Sequence, residues 1–239
     1  MRKIVSLQRK SLTLVAALLF AGVLSASAQS HEFANFDRYA KANAELPTVG
    51  KKDKRVVFMG NSITRNWVKK NPDFWASHPE FAARGISGQT TVRMLERFHA
   101  DVVALHPRAV VILAGINDIA ENDGEIPLED VAANIRTMCR IAKGNGIVPI
   151  VCSVLPCDTI AWNKRIKPAD KVVALNKMLK QFAADNNLVY VDYYTPMATD
   201  KGGLKPEYTK DGCHPEAAGY IEVMNPAILE AIKRAGIDF

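Results

Sequence analysis

Ser62, Asp211 and His214 are the residues whose types and spacing suit covalent chemistry. A serine hydroxyl is a weak nucleophile until a base takes its proton, and histidine is the usual base near neutral pH. Of the 5 histidines, only His214 follows a carboxylate by three residues in a turn bounded by Gly and Pro, Asp211-Gly212-Cys213-His214-Pro215. Asp211 is spaced to accept a hydrogen bond from Nδ1–H of that ring, fixing its tautomer and stabilising the imidazolium. Attack by serine on an acyl carbonyl builds charge on the carbonyl oxygen, which then needs hydrogen-bond donors. The backbone N–H groups of Ser62 and Gly88 and the side-chain amide of Asn117 are the candidate set. His31, His78, His99 and His106 have no comparable surroundings.

Elements with two different periodicities must position these groups. Short apolar runs occur at Val56–Met59, Phe81–Ile86, Ala109–Leu113, Ile147–Val154 and Leu188–Val191. Runs of this length, bounded by Gly, Asn and Pro, suit strands buried on both faces of a parallel sheet. Between them, apolar residues recur at helical spacing: Val92, Leu95, Phe98 and Val102; then Leu128, Val131, Ile135, Met138 and Ala142; then Val172, Leu175, Leu179 and Phe182. Gly144 and Gly146 stop the second of these. A last helix is expected from Pro215 through Tyr220, Met224 and Ile228, kinked at Pro226. The alternation predicts one α/β/α domain with about five parallel strands. Ligands of such sheets bind beyond the carboxyl ends of the strands. Gly60-Asn61-Ser62-Ile63-Thr64, Gly85–Thr91 and Ala114–Asp118 each follow a predicted strand, and the Asp211–Pro215 turn follows the last one.

Taken together, the four blocks resemble the SGNH hydrolases, or GDSL-type esterases. Ser62 in GNSIT, Gly88 in GISGQTT, Asn117 in GIND, and His214 with Asp211 in DGCHP stand in that family's order. The likeness spans residues 55–239. It implies a flavodoxin-like three-layer α/β/α sandwich and ester hydrolysis through an acyl-serine intermediate. It also implies no metal or organic cofactor. One departure is Gly-Asn-Ser where the family has Gly-Asp-Ser: Asn61 keeps the shape and one acceptor but loses the charge. Altered loop electrostatics are expected, with activity retained. Asn61 and Trp162, the latter in the polar 156–170 loop, are the candidate substrate contacts; Trp67 and Trp75 read as core. Asp118 is expected to cap the turn after Asn117.

Composition bounds the function class. The chain has 239 residues, 48% hydrophobic and 23% charged, which excludes a collagen-like, low-complexity or wholly disordered protein. Residues 1–28 read as a secretory signal peptide: a basic head at Arg2, Lys3, Arg9 and Lys10, an apolar run Leu12–Leu24, and cleavage after Ala28. Residues 29–50 read as a helical lead, with Phe33, Phe36 and Tyr39 on one side, and 51–239 as the catalytic domain. The formal charge of +6 owes four cations to the leader, so basicity is no argument for nucleic acid. No stable membrane anchor is expected. Cys139, Cys152, Cys157 and Cys213 match no zinc spacing, and their pairing is open; a Cys157–Cys213 bond would brace the catalytic turn.

The expected protein is therefore a periplasmic or secreted serine esterase. Its expected substrate is a small-molecule or polysaccharide acyl ester, with O-acetyl carbohydrate foremost. An acyltransferase, a lysophospholipase or thioesterase-type hydrolase, and a non-catalytic binding module are the alternatives.

Overall fold

The computed structural model describes residues 32–47 and 54–238. The expected leader and part of the 29–50 lead lie outside the described residues. Helix α1 is Asp37–Ala44. Strand β1, Val56–Gly60, is followed by α2 (Ser62–Lys70) and α3 (Pro72–Ala76). Then come β2 (Phe81–Gly85), α4 (Thr91–Asp101), β3 (Ala109–Leu113) and α5 (Ile116–Ile119). After α6 (Leu128–Gly144) the chain forms β4 (Val148–Cys152), α7 (Ala169–Asp185), β5 (Val189–Val191) and α8 (Tyr194–Met197). It ends in a π-helix, Gly219–Met224, that runs into α9, Asn225–Arg234.

The sheet has five parallel strands in the order β2-β1-β3-β4-β5. Every residue of β1 and β3 is buried, as expected for strands covered on both faces. The chain leaves β1 in one direction to form β2, then returns past it to form β3. The β1/β3 gap is therefore the point where the strand order reverses, and a crevice opens there. Register makes the strands end level: Gly60 pairs with Gly85 on one side and with Leu113 on the other. The turns that follow β1, β2 and β3 consequently emerge at one rim.

Helices α4, α6 and α7 pack side by side. On the α2 side, Trp67 stacks on Tyr220 of the π-helix at 5.5 Å, and its Nε1 donates to Asn225 at 2.9 Å. Trp67 is fully buried, as its sequence context suggests. The lead helix α1 is tied to the domain by polar contacts: Tyr39 Oη donates to the Gly85 carbonyl at 2.7 Å, and Asn43 Nδ2 donates to Asp101 Oδ1 at 2.7 Å.

The last helix departs from expectation. Pro215 does not open it; that residue forms an isolated bridge with Thr209. Where a kink is expected at Pro226, the helix changes from π to α geometry one residue earlier, at Asn225. Pro226 has no N–H to donate, and it sits in the first turn of α9, where none is needed.

Arg97 anchors the rim from beneath. Its guanidinium is fully buried and donates to Asp101 Oδ2 at 2.8 Å, Gln89 Oε1 at 2.6 Å, Gly60 O at 3.0 Å and Arg84 O at 2.9 Å. One cation thus joins the ends of β1 and β2 to the loop carrying Gly88. Removing it would leave the buried Asp101 carboxylate without its cation. Arg97→Met is expected to lower stability by about 3–5 kcal/mol, read as the shift of the urea unfolding curve. A loss within experimental error would show that this network does not hold the rim.

Candidate active site

Gly85 lets α2 lie close over the strand ends: a Cβ there would stand 2.5 Å from Arg65 N and 2.6 Å from Asn61 O. That approach sets Ser62, the first residue of α2, at the rim. Asn61 closes the helix start by accepting from Ile63 N at 2.9 Å. Its side chain is buried in this cap and does not line the cleft. The expected substrate contact from Asn61 is thus corrected to a structural one. It also explains how asparagine serves here in place of aspartate, because the cap needs one oxygen acceptor and no charge.

His214 reaches Ser62 across 152 residues of chain. Ser62 Oγ lies 2.9 Å from His214 Nε2, and His214 Nδ1 lies 2.7 Å from Asp211 Oδ2. A carboxylate only accepts, so Nδ1 carries the proton and Nε2 is free to accept from the serine hydroxyl. Asp211 is itself pinned: its Oδ1 accepts backbone N–H groups of Cys213 at 2.9 Å and His214 at 2.7 Å. Thr209 Oγ1 donates to the His214 carbonyl at 2.9 Å and closes the turn. Burial raises the Asp211 carboxyl, but these hydrogen bonds outweigh it and hold the group below its ordinary range. It therefore stays charged while its histidine partner works.

The candidate oxyanion residues line the same cleft, which has a volume of about 370 Å³ and is bordered by Ser62, Gly88, Asn117, Asn122, Trp162 and His214 among others. The Ser62 N–H is one of the first in its helix and has no intrahelical acceptor. Gly88 adopts φ +78°, a left-handed conformation that favours glycine. Asn117 is buried; its Nδ2 donates to Gln89 O at 2.9 Å, and the amide carries a second N–H.

Asp118 has a longer reach than expected. It accepts Thr91 N at 3.0 Å and Thr91 Oγ1 at 2.6 Å, so it caps α4, the helix after the Gly88 block. Burial pushes its carboxyl up to about 6, against hydrogen bonds from Thr91 that favour the charged form.

Sequence reasoning missed Asn122. Its Nδ2 donates to Gly88 O at 3.0 Å, its Oδ1 accepts Trp162 Nε1 at 2.8 Å, and its N–H donates to Asn117 O at 3.0 Å. It ties two oxyanion residues to the tryptophan. Nothing in its local sequence marks it, because two of its partners, Gly88 and Trp162, come from distant loops. Trp162 does stand at the cleft: its ring lies 5.9 Å from that of His214 and remains 47% exposed. Beyond it lies a polar cleft of about 560 Å³ that also borders Arg93, Glu121 and Arg165.

All four cysteines are buried free thiols. The neighbouring Cys157 thiol, together with burial, pushes the Cys213 thiol up, away from the thiolate. The two loops therefore meet through thiols and not through a disulfide. Among the described residues, no group of three His, Cys, Asp or Glu is placed to share a metal ion.

Two outcomes test this geometry. Asp211→Asn keeps the acceptor for the backbone N–H groups but removes the charge facing the imidazole. It is expected to lower kcat by about 10³–10⁴-fold with the fold retained, checked by ester turnover beside circular dichroism. Asp118 supplies a pH signature. Because its folded value lies above the ordinary 3.8, the folded chain holds that proton more tightly. This contribution favours the fold at acid pH and is lost as pH rises through about 6. Thermal unfolding between about pH 4 and pH 7 should show wild type losing more stability than Asp118→Asn; parallel curves would refute it.

Comparison with known proteins agrees with this geometry. The profile of the GDSL-like lipase/acylhydrolase family matches residues 58–220. No curated protein matches the chain. A candidate acylhydrolase from Bacteroides fragilis is 47% identical, with a TM-score of 0.82, over 84% of this chain and 97% of that one. A GDSL-like lipase from Bacteroides thetaiotaomicron is 45% identical, with a TM-score of 0.82, over 85% and 99%. An acetylxylan esterase from Geobacillus stearothermophilus shares the fold at 22% identity and a TM-score of 0.61, over 78% and 96%. With the family profile covering Ser62, Gly88, Asn117, Asp211 and His214, the chain belongs to the GDSL-like lipase/acylhydrolase family and is a carboxylic ester hydrolase.

Proposed function

We propose that the protein is an exported serine esterase that removes O-acyl groups, O-acetyl foremost, from carbohydrates. The observation that carries the esterase chemistry is the line from Asp211 through His214 to Ser62, with contacts of 2.7 and 2.9 Å. Ser62 Oγ bonds to the acyl carbon as its proton passes to His214 Nε2. The carbonyl oxygen becomes an oxyanion, met by Ser62 N–H, Gly88 N–H and the Asn117 amide. The ester C–O bond then breaks, and Nε2 returns the proton to the departing alcohol. Water repeats the sequence on the acyl-serine, releasing the acid and restoring the hydroxyl.

The carbohydrate half of the proposal is supported by the surroundings of Ser62. The cleft opens past Trp162 into a polar groove, and an exposed aromatic face beside a catalytic histidine suits the apolar face of a sugar ring. Among the structural neighbours is an acetylxylan esterase, which supports the reading through the fold alone. Export is supported by the first 28 residues of the sequence. No helix among the described residues is long and apolar enough to cross a membrane.

Ser62→Ala and His214→Ala should each lower hydrolysis of p-nitrophenyl acetate by about 10³-fold or more while the protein stays folded. Retained turnover in either variant would rule the mechanism out. Trp162→Ala should raise KM for acetylated xylo-oligosaccharides by about tenfold, with kcat on p-nitrophenyl acetate nearly unchanged, since it removes binding remote from the reacting bond. An equal loss on both substrates would place Trp162 in support of His214 instead.

A further inference from the structure

A second cavity, of about 420 Å³, lies between α1, α2 and the free edge of β2. Its walls are largely apolar, with Leu46, Val68, Trp75 and Phe81 among them. Arg38, Arg65, Lys69 and Arg84 also border it, and no carboxylate among the described residues does. Asp101 offsets part of the Arg84 charge from outside this lining, and four cations around an apolar space would attract an anion into it.

The hydrogen bonding points the same way. Arg84 is 5% exposed; its Nε donates to Asn43 Oδ1 at 2.7 Å and its Nη1 to Ala83 O at 3.0 Å, but its Nη2 has no partner. Arg65 Nε and Trp75 Nε1 are likewise buried without partners. All three orphaned atoms are donors, and all three residues border this one cavity. A buried donor left unmade is costly, and three around one space call for an acceptor. Burial also pulls Arg84 below the ordinary arginine range, although Asp101 opposes the effect.

We propose that this cavity binds an amphipathic carboxylate, a medium-chain fatty acid. The alkyl chain lies against Val68, Trp75 and Phe81. The carboxylate meets the guanidinium groups of Arg65 and Arg84, after a small turn of either group about its last bonds presents the unpaired N–H. Lys69 and Arg38, exposed at the mouth, draw the anion in. Volume and lining suit a ligand of this class. Arg65 also borders the catalytic cleft, so the two spaces share a wall.

The site is distinct from Ser62, and the test keeps it so. The full chain is first blocked at Ser62 with a fluorophosphonate, then titrated calorimetrically with decanoate, decanol and acetate. One decanoate should bind the blocked protein, with decanol and acetate at least about tenfold weaker. Arg84→Met should weaken decanoate by about tenfold or more. Val68→Trp, at an exposed wall position that leaves the core intact, should abolish binding by filling the space. No binding, equal binding of decanol, or decanoate binding unchanged in Val68→Trp would overturn the proposal. Binding only before the block would place the acid at Ser62 and overturn it too, while leaving the esterase intact. Failure of the fluorophosphonate to label would count against the esterase alone; the same titrations on the unlabelled chain and its two variants then decide the cavity.

Discussion

A single hydrogen bond, 2.9 Å between Ser62 Oγ and His214 Nε2, is what the rest of the molecule serves. It tolerates little error, because proton transfer needs the two heavy atoms within hydrogen-bond reach. The partners come from opposite ends of the domain, so neither local turn can set the distance. Two rigid devices do. Helix α2 is pressed onto the strand ends by the absence of a side chain at Gly85, which fixes the height of Ser62. The Asp211 carboxylate takes three hydrogen bonds from the His214 turn, two from backbone and one from the ring, which fixes the ring's direction. The sheet supplies the common frame, because β1, β2 and β3 end in register.

The chemistry divides cleanly between charged and neutral parts. Within the Asp211–His214–Ser62 line, charge sits on Asp211, where the turn's own N–H groups stabilise it. The proposed oxyanion donors are neutral dipoles, which do not compete with the imidazole for its proton. Asn61 fits the same division. As a cap it offers one oxygen to one N–H, so a neutral amide at this position removes a charge next to the nucleophile without removing the helix start. Asp118 sits at the opposite extreme: a buried carboxyl spent on holding Thr91, one step from the residue that faces the cleft.

The wall beyond the triad is built from an unusual coupling. Asn122 spans Gly88, Asn117 and Trp162, so hydrogen bonds join the Gly88 loop to the tryptophan. The two loops behind Trp162 and His214 also touch through the Cys157 and Cys213 thiols. Substrate shape and catalytic geometry are thereby read by connected groups. The cavity at the β2 edge is different in kind: it is apolar, cationic and bordered by donors that the protein itself leaves unsatisfied.

The amino-acid sequence by itself determined the strands, three of the long helices and the four blocks with Ser62, Gly88, Asn117 and His214. These features are local: buried strands need unbroken apolar runs, helices need apolar residues at helical spacing, and tight turns need glycine. Asp211 was legible for the same reason, since its partner is three residues away. The start of the last helix was misplaced at Pro215 because that residue's bridge to Thr209 is a tertiary matter. Asn61 was assigned to substrate because the sequence shows which residue adjoins the nucleophile, not which way its side chain points. Asn122, the buried Arg97 network and the cavity beside Arg84 were invisible, since each depends on groups from separate elements. Only the folded sheet decided that Ser62 and His214 meet, because hydrogen bonds act over a few ångströms of space and take no account of distance along the chain.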